Sequence, residues 1–119
     1  MIQGLRTVIY PVGELTAAKN WYASVIGHEP YFDQPFYVGF SVGGFELGLI
    51  PDQAEDGAVT YWGVPEIVAE LDRVVQLGGV VHQPVTDVGG GIKVASVKDP
   101  FGNLFGLIEN PYFKPQDVR

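Results

Sequence analysis

Hydrophobic positions along the chain switch from a strand period to a helical period and back, and the same order then repeats. Leu5 to Val12 is a β-branched and aromatic run suited to a strand, broken by Gly13. Leu15, Ala18, Tyr22 and Val25 recur at helical spacing, and Gly27 just past them supplies a helix stop. Three short strands are expected next, in Glu29–Phe32, Phe36–Val42 and Phe45–Pro51, with Gly43-Gly44 as a two-residue hairpin turn. Residues 51–57, PDQAEDG, are polar and aperiodic and read as a linker.

The second half opens on a strand in Ala58–Val64, then a helix with Pro65 in its first turn. Ile67, Leu71, Val74 and Val75 form the apolar stripe of that helix, and Gly78-Gly79 ends it. Strands fit residues 80–85, 92–97 and 104–109, with DPFGN at 99–103 as the last hairpin turn. The expectation is an α+β fold of two βαβββ modules, residues 5–50 and 57–110, in one domain spanning 1–119. One module alone could not bury both faces of a four-stranded sheet, so the modules should pair, within the chain or across a homodimer.

Composition narrows the function classes. A net charge of −7 disfavours a nucleic-acid partner, which needs a basic face to replace counterions, and disfavours an anionic membrane. It is compatible with a cationic small-molecule ligand. With no cysteine, disulfides, thiolate metal sites and thiol nucleophiles are excluded. The apolar run at the N-terminus is shorter than a signal or membrane segment requires, which makes the cytoplasm the expected location. His28 reads as a solvated loop residue after the first helix, and His82 lies in a strand whose alternation allows either face. Gly89-Gly90-Gly91 lacks a following Gly-Lys-Ser/Thr and does not open a helix, so it reads as a loop rather than a phosphate cradle.

The doubled βαβββ pattern, the segment AAKNWYASVIGHEP and the closing hairpin DPFGNLFGLIE together resemble the vicinal oxygen chelate superfamily of glyoxalase I, bleomycin-resistance proteins and extradiol dioxygenases. The segment is similar to the family's A-x-x-F-Y-x-x-x-L-G, and the hairpin to its D-P-x-G-N. The resemblance implies a cup-shaped mixed sheet with the helices outside. In the family's enzymes it also implies a divalent metal held by two ligands from each module, chelating neighbouring substrate oxygens. Carried over by position, those four ligands fall at Thr7, Glu46, Val59 and Gly106. Val59 and Gly106 have no donor atom, and Thr7 is a neutral hydroxyl, so no metal site and no cofactor are expected.

With Thr7 facing inward, strand alternation places Ile9 and Pro11 beside it and sends Val8, Tyr10 and Val12 to the helix side. Across the 43–44 hairpin, Glu46 stands opposite Ser41 and Gly48 opposite Gly39, with Tyr37 further along that face. In the second module Val59, Tyr61 and Gly63 face inward with Leu104, Gly106 and Ile108. The expected ligand-binding residues are Thr7, Ile9, Tyr37, Ser41, Glu46, Val59, Tyr61 and Gly106, an apolar and aromatic lining with Glu46 as its one strong charge. A carboxylate on such a face must pair, meet water or take up a proton, so Glu46 is either a structural hydrogen-bonding group, a ligand anchor or a base.

Two functions follow from this reading. The first is a metal-independent glyoxalase- or bleomycin-resistance-like protein that binds a small aromatic or cationic molecule, as a cytoplasmic homodimer and not as an enzyme. The alternative is a divergent metal-dependent lyase, isomerase or dioxygenase using Glu46 as its catalytic group.

Overall fold

The computed structural model describes residues 2–52 and 57–113. Most of the stretch read as a linker, Gln53 to Asp56, lies outside the described residues. The elements among them are β1 (Gly4–Pro11), α1 (Leu15–Ile26), β2 (Phe32–Gln34), β3 (Tyr37–Val42), β4 (Phe45–Ile50), β5 (Val59–Gly63), α2 (Ile67–Gln76), β6 (Val80–Gly89), β7 (Ile92–Lys98) and β8 (Leu104–Glu109). This is the expected α+β order, strand–helix–strand–strand–strand twice over. Neither helix is long and apolar enough to cross a membrane.

The chain divides into two compact units. Among the described residues, one contains the part of Thr7–Ala58 that is described and the other residues 2–6 and 59–113. In the first, the strand order is β2-β3-β4-β1, with β1 parallel to β4 and the other pairs antiparallel. In the second the order is β5-β8-β7-β6, with β5 parallel to β8.

Alternation sorts the strands of each unit into two faces. In the first unit Val38, Phe40 and Leu49 point to one face and are fully buried, with Leu15, Ala18, Tyr22, Ala23 and Ile26 of α1 packed on them. Each of these buried side chains contributes about 1.5–3 kcal/mol of hydrophobic stabilisation. The inward stripe ends on Ile26 rather than the expected Val25, which is exposed, because the last helical step from Tyr22 is four residues. Gly27 then ends α1 in the left-handed region at φ 95°, its N–H donating to the Ala23 carbonyl at 2.9 Å.

The second unit has its own core, where Val64, Ile67, Ala95 and Leu107 meet and Leu71 and Phe105 pack around them. Here α2 begins at Ile67, two residues later than Pro65 suggested. Its first N–H donates to Glu109 Oε1 at 2.9 Å, so a carboxylate from β8 satisfies a helix end that Pro65 does not. The DPFGN turn is organised by Asp99, whose Oδ1 accepts the N–H groups of Phe101 and Asn103, both at 2.8 Å. These bonds hold the Asp99 carboxyl below its ordinary range.

Candidate functional site

The face of the first unit opposite α1 carries the unit's polar chemistry. The register pairs Thr7 with Glu46 on the β1–β4 side, and Ser41 with Glu46 on the β3–β4 side. Three hydroxyl groups converge on the Glu46 carboxylate. Tyr37 donates to Oε1 at 2.8 Å and the buried Thr7, 6% exposed, donates to the same oxygen at 3.3 Å. Tyr31 donates to Oε2. A carboxylate oxygen has two lone pairs, so Oε1 is saturated while Oε2 retains one acceptor position.

Glycines make this convergence possible. A Cβ at Gly48 would stand 2.7 Å from Tyr37 Cζ, and one at Gly39 would stand 2.8 Å from Glu46 Oε2 and 3.1 Å from Tyr31 Cε1. The space over these two glycines therefore holds the protein's own Tyr37, Tyr31 and Glu46 side chains. Tyr31 precedes β2 and is pinned by its backbone N–H, which donates to the Gly39 carbonyl at 3.0 Å. It is 63% exposed, yet its phenol is pushed well above the ordinary tyrosine range. Burial is the larger cause, followed by the hydrogen bond to Glu46 and the charge of Glu46. Tyr31 thus stays a neutral donor through the physiological range.

Further rings extend the face. Phe32 shares it through its register with Gly39, and lies 5.9 Å from the Tyr37 ring and 6.1 Å from the Phe36 ring, edge to face in both cases. Phe36 is 66% exposed and Phe32 37%. Lys19 of α1 is engaged elsewhere, with Asp33 at 3.0 Å, on a residue that points to the other face.

Of the residues expected from the sequence, Thr7, Tyr37 and Glu46 are brought together by direct hydrogen bonds, Ser41 stands across from Glu46, and Ile9 stands across from Gly48. Tyr31 is the member the strand reading missed. Placing a strand in Glu29–Phe32 put it inside a ladder, whereas β2 starts at Phe32 and leaves Tyr31 free to lie over a glycine. The bare Gly39 on the Glu46 face is the signal that could have found it.

Val59, Tyr61 and Gly106 belong to the other unit. There Gly106 pairs in register with Tyr61. A Cβ at Gly106 would sit 2.7 Å from both Thr60 O and Tyr61 Cδ1, so the ring of Tyr61 covers the place where the resemblance expects a metal-binding carboxylate. Burial raises the Tyr61 phenol above its usual range. The four positions together offer one carboxylate and one hydroxyl, and Glu46 already accepts three hydroxyls. Among the described residues no three His, Asp, Glu or Cys side chains gather at one point. This donor set does not fit a hard divalent cation, which draws on several carboxylates or imidazoles.

Comparison with known proteins agrees with this architecture. Residues 4–107 match the Glyoxalase/Bleomycin resistance protein/Dioxygenase superfamily. The chain is 30% identical over 105 residues to the Mycobacterium tuberculosis protein provisionally named glyoxylase CFP32, a match covering 77% of this chain and 40% of that protein. The chain thus spans well under half the length of this curated relative. A variant of Streptomyces coelicolor methylmalonyl-CoA epimerase in complex with 2-nitronate-propionyl-CoA has a similar structure, with a TM-score of 0.77 at 15% identity over 96% of this chain and 99% of that one. A glyoxalase/bleomycin resistance protein/dioxygenase superfamily member from Vibrio splendidus 12B01 aligns with a TM-score of 0.70 at 19% identity, over 89% of this chain and 99% of that one.

Proposed function

The chain belongs to the Glyoxalase/Bleomycin resistance protein/Dioxygenase superfamily, and from that membership and the chemistry of the Glu46 face we propose that it binds a small aromatic or cationic molecule without a metal. The observation that carries this reading is the Glu46 carboxylate set among Tyr31, Tyr37 and Phe32, with the exposed Tyr31 as the partner of Oε2. A single anchored charge on an aromatic surface is the usual make-up of a small-molecule site. The glycine at 106 and the ring over it support metal independence, because the second module offers no carboxylate at that position.

An enzymatic use of Glu46 as base has less support. Three donors occupy three of its four acceptor positions, which leaves only the second position of Oε2 to take a substrate proton. The expected setting is the cytoplasm and the expected assembly a homodimer, which light scattering of the purified chain would test. The binding reading is tested by a thermal-shift panel of small aromatic and cationic molecules in chelator-treated buffer. Stabilisation of the wild type that is lost in Glu46→Gln supports it, and no stabilisation by any member of the panel overturns it.

A further inference from the structure

Oε1 of Glu46 is closed to a ligand, because it accepts from both Thr7 and Tyr37, and Thr7 is buried. Oε2 is different. Its partner comes from the exposed Tyr31, whose backbone is fixed at Gly39 but whose ring stands outside the strand ladder. Rotation of Tyr31 about its side-chain torsions would bare Oε2 while leaving Thr7 and Tyr37 to hold the carboxylate in place. The rings of Phe32 and Phe36 offer an apolar surface beside it.

The chemistry that completes this arrangement is specific. A neutral hydroxyl gains only what Tyr31 already supplies, whereas a protonated amine brings a charge-assisted bond to Oε2 that a phenol cannot match. Its apolar body would lie on the rings, where a cation near an aromatic face is further attracted. Deepening the binding proposal above, on which this rests, we infer that the ligand is an organic ammonium, a protonated amine on an apolar body, and that Tyr31 is the specificity-determining residue whose hydroxyl the ammonium displaces from Glu46 Oε2. Tyr31 competes with the ligand in the free protein and sets the threshold that a neutral molecule fails to cross.

The experiment is an amide-shift NMR titration of the wild type, Tyr31→Phe and Glu46→Gln with benzylamine and with benzyl alcohol as its neutral counterpart. The wild type is expected to prefer benzylamine, with shifts at Thr7, Gly39 and Gly48. Tyr31→Phe keeps the ring and removes the competing hydroxyl, so benzylamine should bind about fivefold tighter, the equivalent of one ordinary hydrogen bond, and benzyl alcohol, freed of the same competitor, should begin to bind. Glu46→Gln should level the two probes. Should Glu46→Gln fail to fold, Tyr31→Phe still decides the matter, since a weaker benzylamine affinity in that variant makes Tyr31 a contact and not a competitor. Equal binding of the two probes to the wild type overturns the ammonium inference while leaving a small-molecule site in place. No shift from either probe counts against the binding proposal itself.

Discussion

The ring of Tyr61 lies across Gly106, its register partner in the parallel β5–β8 pair, so closely that a Cβ on the glycine would fall 2.7 Å from Tyr61 Cδ1 and equally near the Thr60 carbonyl oxygen. The contact explains a glycine in the middle of a strand, where it otherwise weakens packing. It also fills the position where the resemblance places a metal-binding carboxylate.

Gly106→Ala should therefore destabilise the chain. One obstructing atom is a side-chain ring that can shift, but the other is backbone, so the strain cannot be relieved by rotation alone. The expected loss is about 1–3 kcal/mol, typical of overpacking, read from urea denaturation. A variant as stable as the wild type would show that Tyr61 and the β5 backbone yield more readily than this packing allows.

At Gly48 the obstruction is the far end of Tyr37, which can swing away. Gly48→Ala should break the Tyr37–Glu46 hydrogen bond, at a cost of about 0.5–1.5 kcal/mol, and Tyr37→Phe should cost a similar amount. Because both changes remove the same bond, the double variant should be little worse than either single one. Fully additive losses would mean that Gly48 matters for another reason.

The two raised phenols set an alkaline limit. A tyrosine whose folded pKa lies above its unfolded value holds its proton longer in the folded state. Its contribution is therefore complete below the ordinary tyrosine pKa of about 10 and is lost as pH rises beyond it. The melting temperature should fall above that pH, and Tyr31→Phe and Tyr61→Phe should each flatten the fall. An unchanged alkaline slope in both variants would contradict this origin.

Much of the fold was legible from local pattern, because the Gly43-Gly44 turn fixes the β3–β4 register and alternation then puts Ser41, Glu46, Gly39 and Gly48 on one face. Less local features were not. The start of α2 depends on Glu109, which is distant in sequence, so Pro65 was a misleading marker. That the Tyr61 ring fills the space over Gly106 depends on where β5 and β8 pair, which no local pattern reveals. Tyr31 escaped notice because its role comes from a tertiary contact over Gly39 and not from strand periodicity.

The central claim is that this chain recognises its ligand through Glu46 and without a metal. Its most direct test is the benzylamine titration repeated on wild-type protein dialysed against EDTA, on the same protein with one equivalent of zinc, and on Glu46→Gln. The account predicts equal affinity with and without zinc and a loss of about tenfold or more in Glu46→Gln, where the charge-assisted bond is gone. Binding that appears only when zinc is added, or that survives unchanged in Glu46→Gln, would contradict it.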